Sequence, residues 1–139
     1  MSANRRFEFH AALWAVAISV IYAIFGNTFF YLASRYTMVL DQSYTVFILF
    51  AAMIAASVIW RFRSRYWYFP LFIPILWIPF TVIFAFLMSA VFPLPEDNLG
   101  GGLMVLFIHG LNLGAVLIGV ALGMAVNAAA VAWKKFGRE

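Results

Sequence analysis

Four stretches of this chain, residues 11–33, 44–60, 69–92 and 103–133, contain no Asp, Glu, Lys or Arg. Each is long enough, or nearly so, to cross the hydrocarbon of a bilayer, which takes about 20 apolar residues in a helix. A helix at the surface of a soluble protein shows an apolar stripe and a polar face, and these runs are apolar all round. The composition removes the alternative of burial in a water-soluble core. Of 139 residues, 66% are hydrophobic and 10% charged, against an apolar content of about 45–50% in soluble domains. Folding in water leaves about a third of the unfolded surface exposed at this size, and that third would be an aggregating apolar shell. The solvent is lipid.

The fold expected is therefore all-α: a four-transmembrane-helix bundle, formed as a single integral membrane domain over residues 1–139. Strands of a membrane barrel would alternate apolar and polar residues, and the runs do not. The connections at 34–43, 61–68 and 93–102 are too short for a second domain. The first run follows Arg5 and Arg6 as a signal peptide would, but it is longer than a signal-peptide core of about 7–15 residues and ends on a poor cleavage site, Leu32-Ala33-Ser34. It is expected to be a retained helix.

Basic residues fix the expected orientation, because Lys and Arg in short loops stay on the cytoplasmic side. In a four-span arrangement Arg5, Arg6, Arg61, Arg63, Arg65, Lys134, Lys135 and Arg138 fall on one side, with Arg35 alone opposite. Both termini are thus expected in the cytoplasm of a bacterial-type inner membrane. Trp14, Trp60, Trp67 and Trp133 lie at the same helix ends as an interfacial belt. Arg61, Arg63 and Arg65 form the candidate contact for anionic lipid.

Polar residues inside the spans carry the remaining information, since each costs free energy unless something satisfies it. On the fourth span, at 100° per residue, His109, Asn112, Gly119, Gly123 and Asn127 gather into one stripe. Gly110 and Gly114 lead a second stripe that continues through Ala121, Ala125, Ala128 and Ala132. Gly110 with Gly114, and Gly119 with Gly123, have the small-xxx-small spacing of closely packed membrane helices. On the first span Asn27, Tyr31 and Ser34 share a face, at the depth expected for His109. These groups would form either an interhelical clasp or a polar cavity open to a small ligand or lipid headgroup. On the third span Pro70, Pro74, Trp77 and Thr81 share a face, and carbonyls released by proline are the expected partners of the Trp77 indole N–H. On the second span Ala52 and Ala56 are the small residues expected to pack.

Much chemistry is excluded. With no cysteine in the chain, disulfides, iron–sulfur clusters and thiolate metal sites are out. His10 and His109 lie toward opposite membrane faces and cannot share a metal or a haem, so neither a metal nor a cofactor is expected. No Ser, His and carboxylate lie at one depth, and no glycine-rich loop opens a nucleotide-binding helix. Nucleic acid is not an expected partner. What remains is a non-catalytic protein that contacts another membrane protein, or a second copy of itself, in the plane of the bilayer, as an accessory or assembly subunit or an immunity-type partner. Two alternatives stand beside it: a small oligomeric channel or carrier for a polar solute along His109, Asn112 and Asn127, and the binding or modification of a lipid headgroup near Asn27 and His109.

Overall fold

A computed structural model describes residues 3–62, 66–93 and 98–137. It is helical, with no strand among the described residues. The helices are α1 (Ala3–Arg35), α2 (Thr37–Asp41), α3 (Ser43–Arg61), α4 (Phe72–Val91) and α5 (Asn98–Phe136), with a 3-10 turn at Phe69–Leu71 leading into α4. Four of these elements, α1, α3, α4 with its leading turn, and α5, are long and apolar enough to cross a membrane.

The helices outrun the apolar stretches that seed them. α1 begins eight residues before the apolar run, through Arg5, Arg6 and Glu8, and α5 continues past Lys134 and Lys135. Arg, Glu and Lys are good helix formers, so loss of hydropathy marks the end of the bilayer rather than the end of the helix. At 1.5 Å per residue α1 is about 50 Å long and α5 about 58 Å, against a hydrocarbon thickness of about 30 Å. α5 is helical from Asn98 onward, so the Gly100-Gly101-Gly102 run does not break it. α2 is a short turn of helix within the connection 34–43, set off by the extended backbone at Tyr36. Of the prolines in the third span, Pro70 lies in the 3-10 turn, Pro74 in the first turn of α4, and only Pro79 in its interior. The first two remove N–H groups that have no helical acceptor anyway.

Two pairs of helices dominate the packing, α1 with α4 and α3 with α5, and α1 meets α5 between them. Both pairs run parallel, as the alternation of four spans requires. Ser19 donates to the Ile73 carbonyl at 3.2 Å and Asn27 to the Thr81 carbonyl at 3.2 Å, the same eight-residue advance on each helix. In the other pair the close approaches step together too: Gly119 lies on Ala51 and Ile54, then Gly123 on Val58. The core between the pairs is built from Ala15, Ile18, Tyr22, Ala23, Ala115, Val116 and Val120, with Phe50, Ile54, Val58, Ile73 and Trp77 from the flanking helices. Its alanines let α1 and α5 approach. α3 packs through Phe50, Ala51, Ile54 and Val58, while Ala52 and Ala56 point outward. The apolar stripe of α3, not its smallest residues, chose the face.

Candidate functional site

The intramembrane amides all turn to main-chain oxygens of neighbouring helices. Asn27 donates to Ala23 O at 2.9 Å as well as to Thr81 O. Asn112 reaches Gly26 O on α1 at 3.0 Å, and Gly26 is where it is because a Cβ there would stand 3.0 Å from the Asn112 amide nitrogen. Asn127 donates to Val58 O at 3.1 Å and Phe62 O at 3.2 Å. The second of these oxygens belongs to Phe62, the residue that follows α3, where a helix leaves its last carbonyls without intrahelical partners. The three asparagines act as clasps between helices.

The polar stripe on α5 therefore divides between two neighbours. Gly119, Gly123 and Asn127 face α3, while Asn112 faces α1. Gly114 also faces α3, 3.3 Å from Phe47 when given a Cβ. Among Gly110, Gly114, Gly119 and Gly123, Gly110 alone is open: a Cβ there meets nothing within 4 Å. His109 does not bond to Asn27. Its ring stacks on Phe30 of α1, with centroids 4.8 Å apart and planes at 28°. Tyr31 packs on Phe92 at 5.0 Å, under the Arg35 guanidinium 4.8 Å from its ring centroid. Asn27 and Tyr31, with Phe30, Ser89 and Phe92, border a cavity of about 40 Å³, room for a water and little more.

A much larger space, about 690 Å³, runs between α4 and α5. α4 packs mainly on α1 and α5 mainly on α3, so α4 and α5 touch each other less extensively than they touch those partners, and Gly110 contributes no side chain to the space between them. Its walls are Trp77, Ile78, Thr81, Val82, Phe86 and Ser89 of α4, Leu106, His109, Gly110 and Leu113 of α5, and Phe30 of α1. Trp77 to Ser89 is a rise of about 18 Å along α4, so the groove follows about three turns of that helix. None of its lining residues is charged.

Three residues of this wall carry a buried polar atom with no hydrogen-bond partner among the described residues: Trp77 Nε1, Thr81 Oγ1 and His109 Nδ1. Trp77 is 3% exposed and Thr81 8%. The carbonyls near proline do not reach the Trp77 indole, contrary to what the sequence suggests. Buried polar groups are nearly always paired, and three orphans on one wall require an explanation. Thr81 and His109 are unpaired with each other as well, so no hydrogen-bonded nucleophile and base line the groove. No cluster of three His, Asp or Glu capable of holding a metal occurs among the described residues.

At the opposite end of the bundle from Asp41, the Arg61 guanidinium lies 3.6 Å from the Trp14 ring centroid and 4.2 Å from that of Trp60. The cation is thus held on two aromatic faces where α3 ends beside α1. Arg63 and Arg65 lie outside the described residues, as do Glu96 and Asp97 of the connection before α5. Sequence reasoning picked out His109, Gly110 and Trp77 separately. It did not bring them together, and it missed Phe30, Phe86 and Ser89. The i, i+4 spacing of Trp77 and Thr81 was the available signal. No protein family, curated protein or solved structure matches the chain.

Proposed function

We propose that this is a non-catalytic, membrane-embedded binding protein that takes one largely apolar molecule from the bilayer into the groove between α4 and α5. The observation that carries this reading is that three residues with unpartnered polar atoms line one otherwise apolar space of about 690 Å³. Small-molecule sites have this character: about 300–1,000 Å³, apolar, between helices, with a few polar groups that set orientation. A channel is poorly served by the same geometry, because Asn112 and Asn127 are spent on backbone carbonyls and line no path.

A second reading keeps lateral recognition by another membrane protein or a second copy. Gly114, Gly119 and Gly123 are covered by α3, which leaves Gly110, open and flanked by Leu106 and Leu113, as the small-residue site where a further helix would seat. Both readings place the occupant in one groove. The membrane is a bacterial-type inner membrane with both termini in the cytoplasm, a placement supported by the crowding of Arg and Lys at one end of the spans.

Native mass spectrometry from mild detergent decides between them. Gly110→Leu puts a side chain into the groove at a position where a Cβ meets nothing within 4 Å, and circular dichroism checks that the helices are retained. The proposal predicts a small-molecule or lipid adduct on the unaltered protein that is lost in Gly110→Leu. A polypeptide adduct lost with the same change assigns the groove to a lateral partner instead. Equal adducts on both proteins, or none on either, overturns the assignment of the groove.

A further inference from the structure

We infer that the α4–α5 groove selects an uncharged molecule that carries a carbonyl oxygen on an apolar body, with the Trp77 indole N–H recognising that oxygen. The inference rests on the groove being a binding site, as proposed above.

The chemistry follows from the wall. An indole N–H donates and never accepts, so whatever satisfies Trp77 brings an acceptor. Thr81 lies one helical turn along α4 from Trp77, on the same buried face, and its hydroxyl is equally without a partner. A carbonyl oxygen has two lone pairs and accepts from both. Charge is excluded by what the groove lacks. With no Asp, Glu, Lys or Arg among its lining residues, an anion or cation at the depth of Trp77 would be buried without a counter-charge. An alkane or an unmodified acyl chain fits the apolar walls of Ile78, Val82 and Leu113 but leaves both donors unsatisfied. Of the remaining polar groups in the lining, Ser89 donates to the Phe86 carbonyl at 2.8 Å, which leaves His109 to meet a second polar atom of the same molecule.

The three orphan atoms are buried rather than presented at the groove surface, so recognition requires their side chains to turn toward the ligand. Two sources share this ligand chemistry: the ring carbonyl of a membrane-soluble quinone and the ester carbonyl of an uncharged acyl lipid.

The experiment reconstitutes the protein in vesicles of ether-linked phosphocholine lipids, which contribute no carbonyl. Three probes are titrated: decyl-benzoquinone, dioctanoylglycerol and decylbenzene, the first two labelled with carbon-13 at the carbonyl. At least one carbonyl probe is expected to bind saturably, and decylbenzene about tenfold more weakly. Trp77→Phe keeps an aromatic ring and removes the N–H. It is expected to weaken the carbonyl probe about three- to tenfold and to abolish the lowered carbonyl stretching frequency seen in the bound state. Thr81→Val, a near-isosteric change, gives a second route to the same comparison should Trp77→Phe fail to fold. Binding of the quinone alone identifies a ring carbonyl, and binding of the diacylglycerol alone an ester. If decylbenzene binds as well as the carbonyl probes, and Gly110→Leu still blocks it, the selectivity inference is overturned while the groove stands. If no probe saturates, or if Gly110→Leu changes nothing, the groove reading falls and takes the inference with it.

Discussion

Asn27 donates to the main-chain oxygen of Thr81 at 3.2 Å, while the hydroxyl of that same threonine has no partner at all. One residue thus joins the two parts of this molecule. Its backbone is used to hold α4 against α1, and its hydroxyl takes no part in that contact. The same division runs through α5, where Asn112 closes the bundle on α1 and His109, one turn away, is left unsatisfied beside the groove.

Gly119 and Gly110 should respond in opposite directions to the same change. A Cβ at Gly119 falls 2.7 Å from Ala51 O and 2.8 Å from Ile54 Cβ, so Gly119→Ala forces α3 and α5 apart, at a cost of about 1–3 kcal/mol. At Gly110 the new methyl meets nothing, and relief of glycine's backbone freedom stabilises the helix by about 0.5–1 kcal/mol. Unfolding in mixed micelles by titration with dodecyl sulfate, followed by circular dichroism, measures both. A neutral Gly119→Ala would show that α3 and α5 are not in contact there.

Asn127→Leu should cost more than Asn112→Leu, although both remove a buried amide. Among the described residues Asn127 is the donor to the Phe62 oxygen at the buried end of α3, and leaving that oxygen unpaired costs about 1–3 kcal/mol. Gly26 O lies within α1 and keeps its helical partner when Asn112 is removed, so the change there is about 0.6 kcal/mol, the average of interhelical bonds in membranes. The same micelle titration ranks them, and the reverse order would refute the capping role of Asn127.

The absence of native cysteine makes orientation directly measurable. A membrane-impermeant maleimide should label Asp41→Cys in intact cells and Lys135→Cys only after the cells are opened. Labelling of Lys135→Cys in intact cells would invert the assignment.

The spans were legible in the sequence because hydrocarbon demands length and apolarity, and charge interrupts both. Helix ends were not, since Arg5, Arg6, Lys134 and Lys135 favour helix while ending the apolar run. The small residues of α5 were visible as close-packing sites. Which of them lie inside depended on α5 pairing with α3, and a periodicity along one helix does not name its neighbour. The groove was hidden for the same reason. It lies between helices whose most extensive contacts are elsewhere, α4 with α1 and α5 with α3. Trp77 was noticed as an indole in need of an acceptor, and the nearby prolines offered a local answer that the fold does not use.

The most direct test of the account is the proton spectrum of the Trp77 indole N–H in perdeuterated protein, held in deuterated detergent with the molecule it retains from the membrane. Trp77→Phe assigns its resonance among the five tryptophans. The account predicts nuclear Overhauser contacts from that N–H to protons of the bound molecule, contacts that vanish in Gly110→Leu. An indole N–H at Trp77 that sees no bound molecule, or sees the same one when the groove is filled, would contradict it.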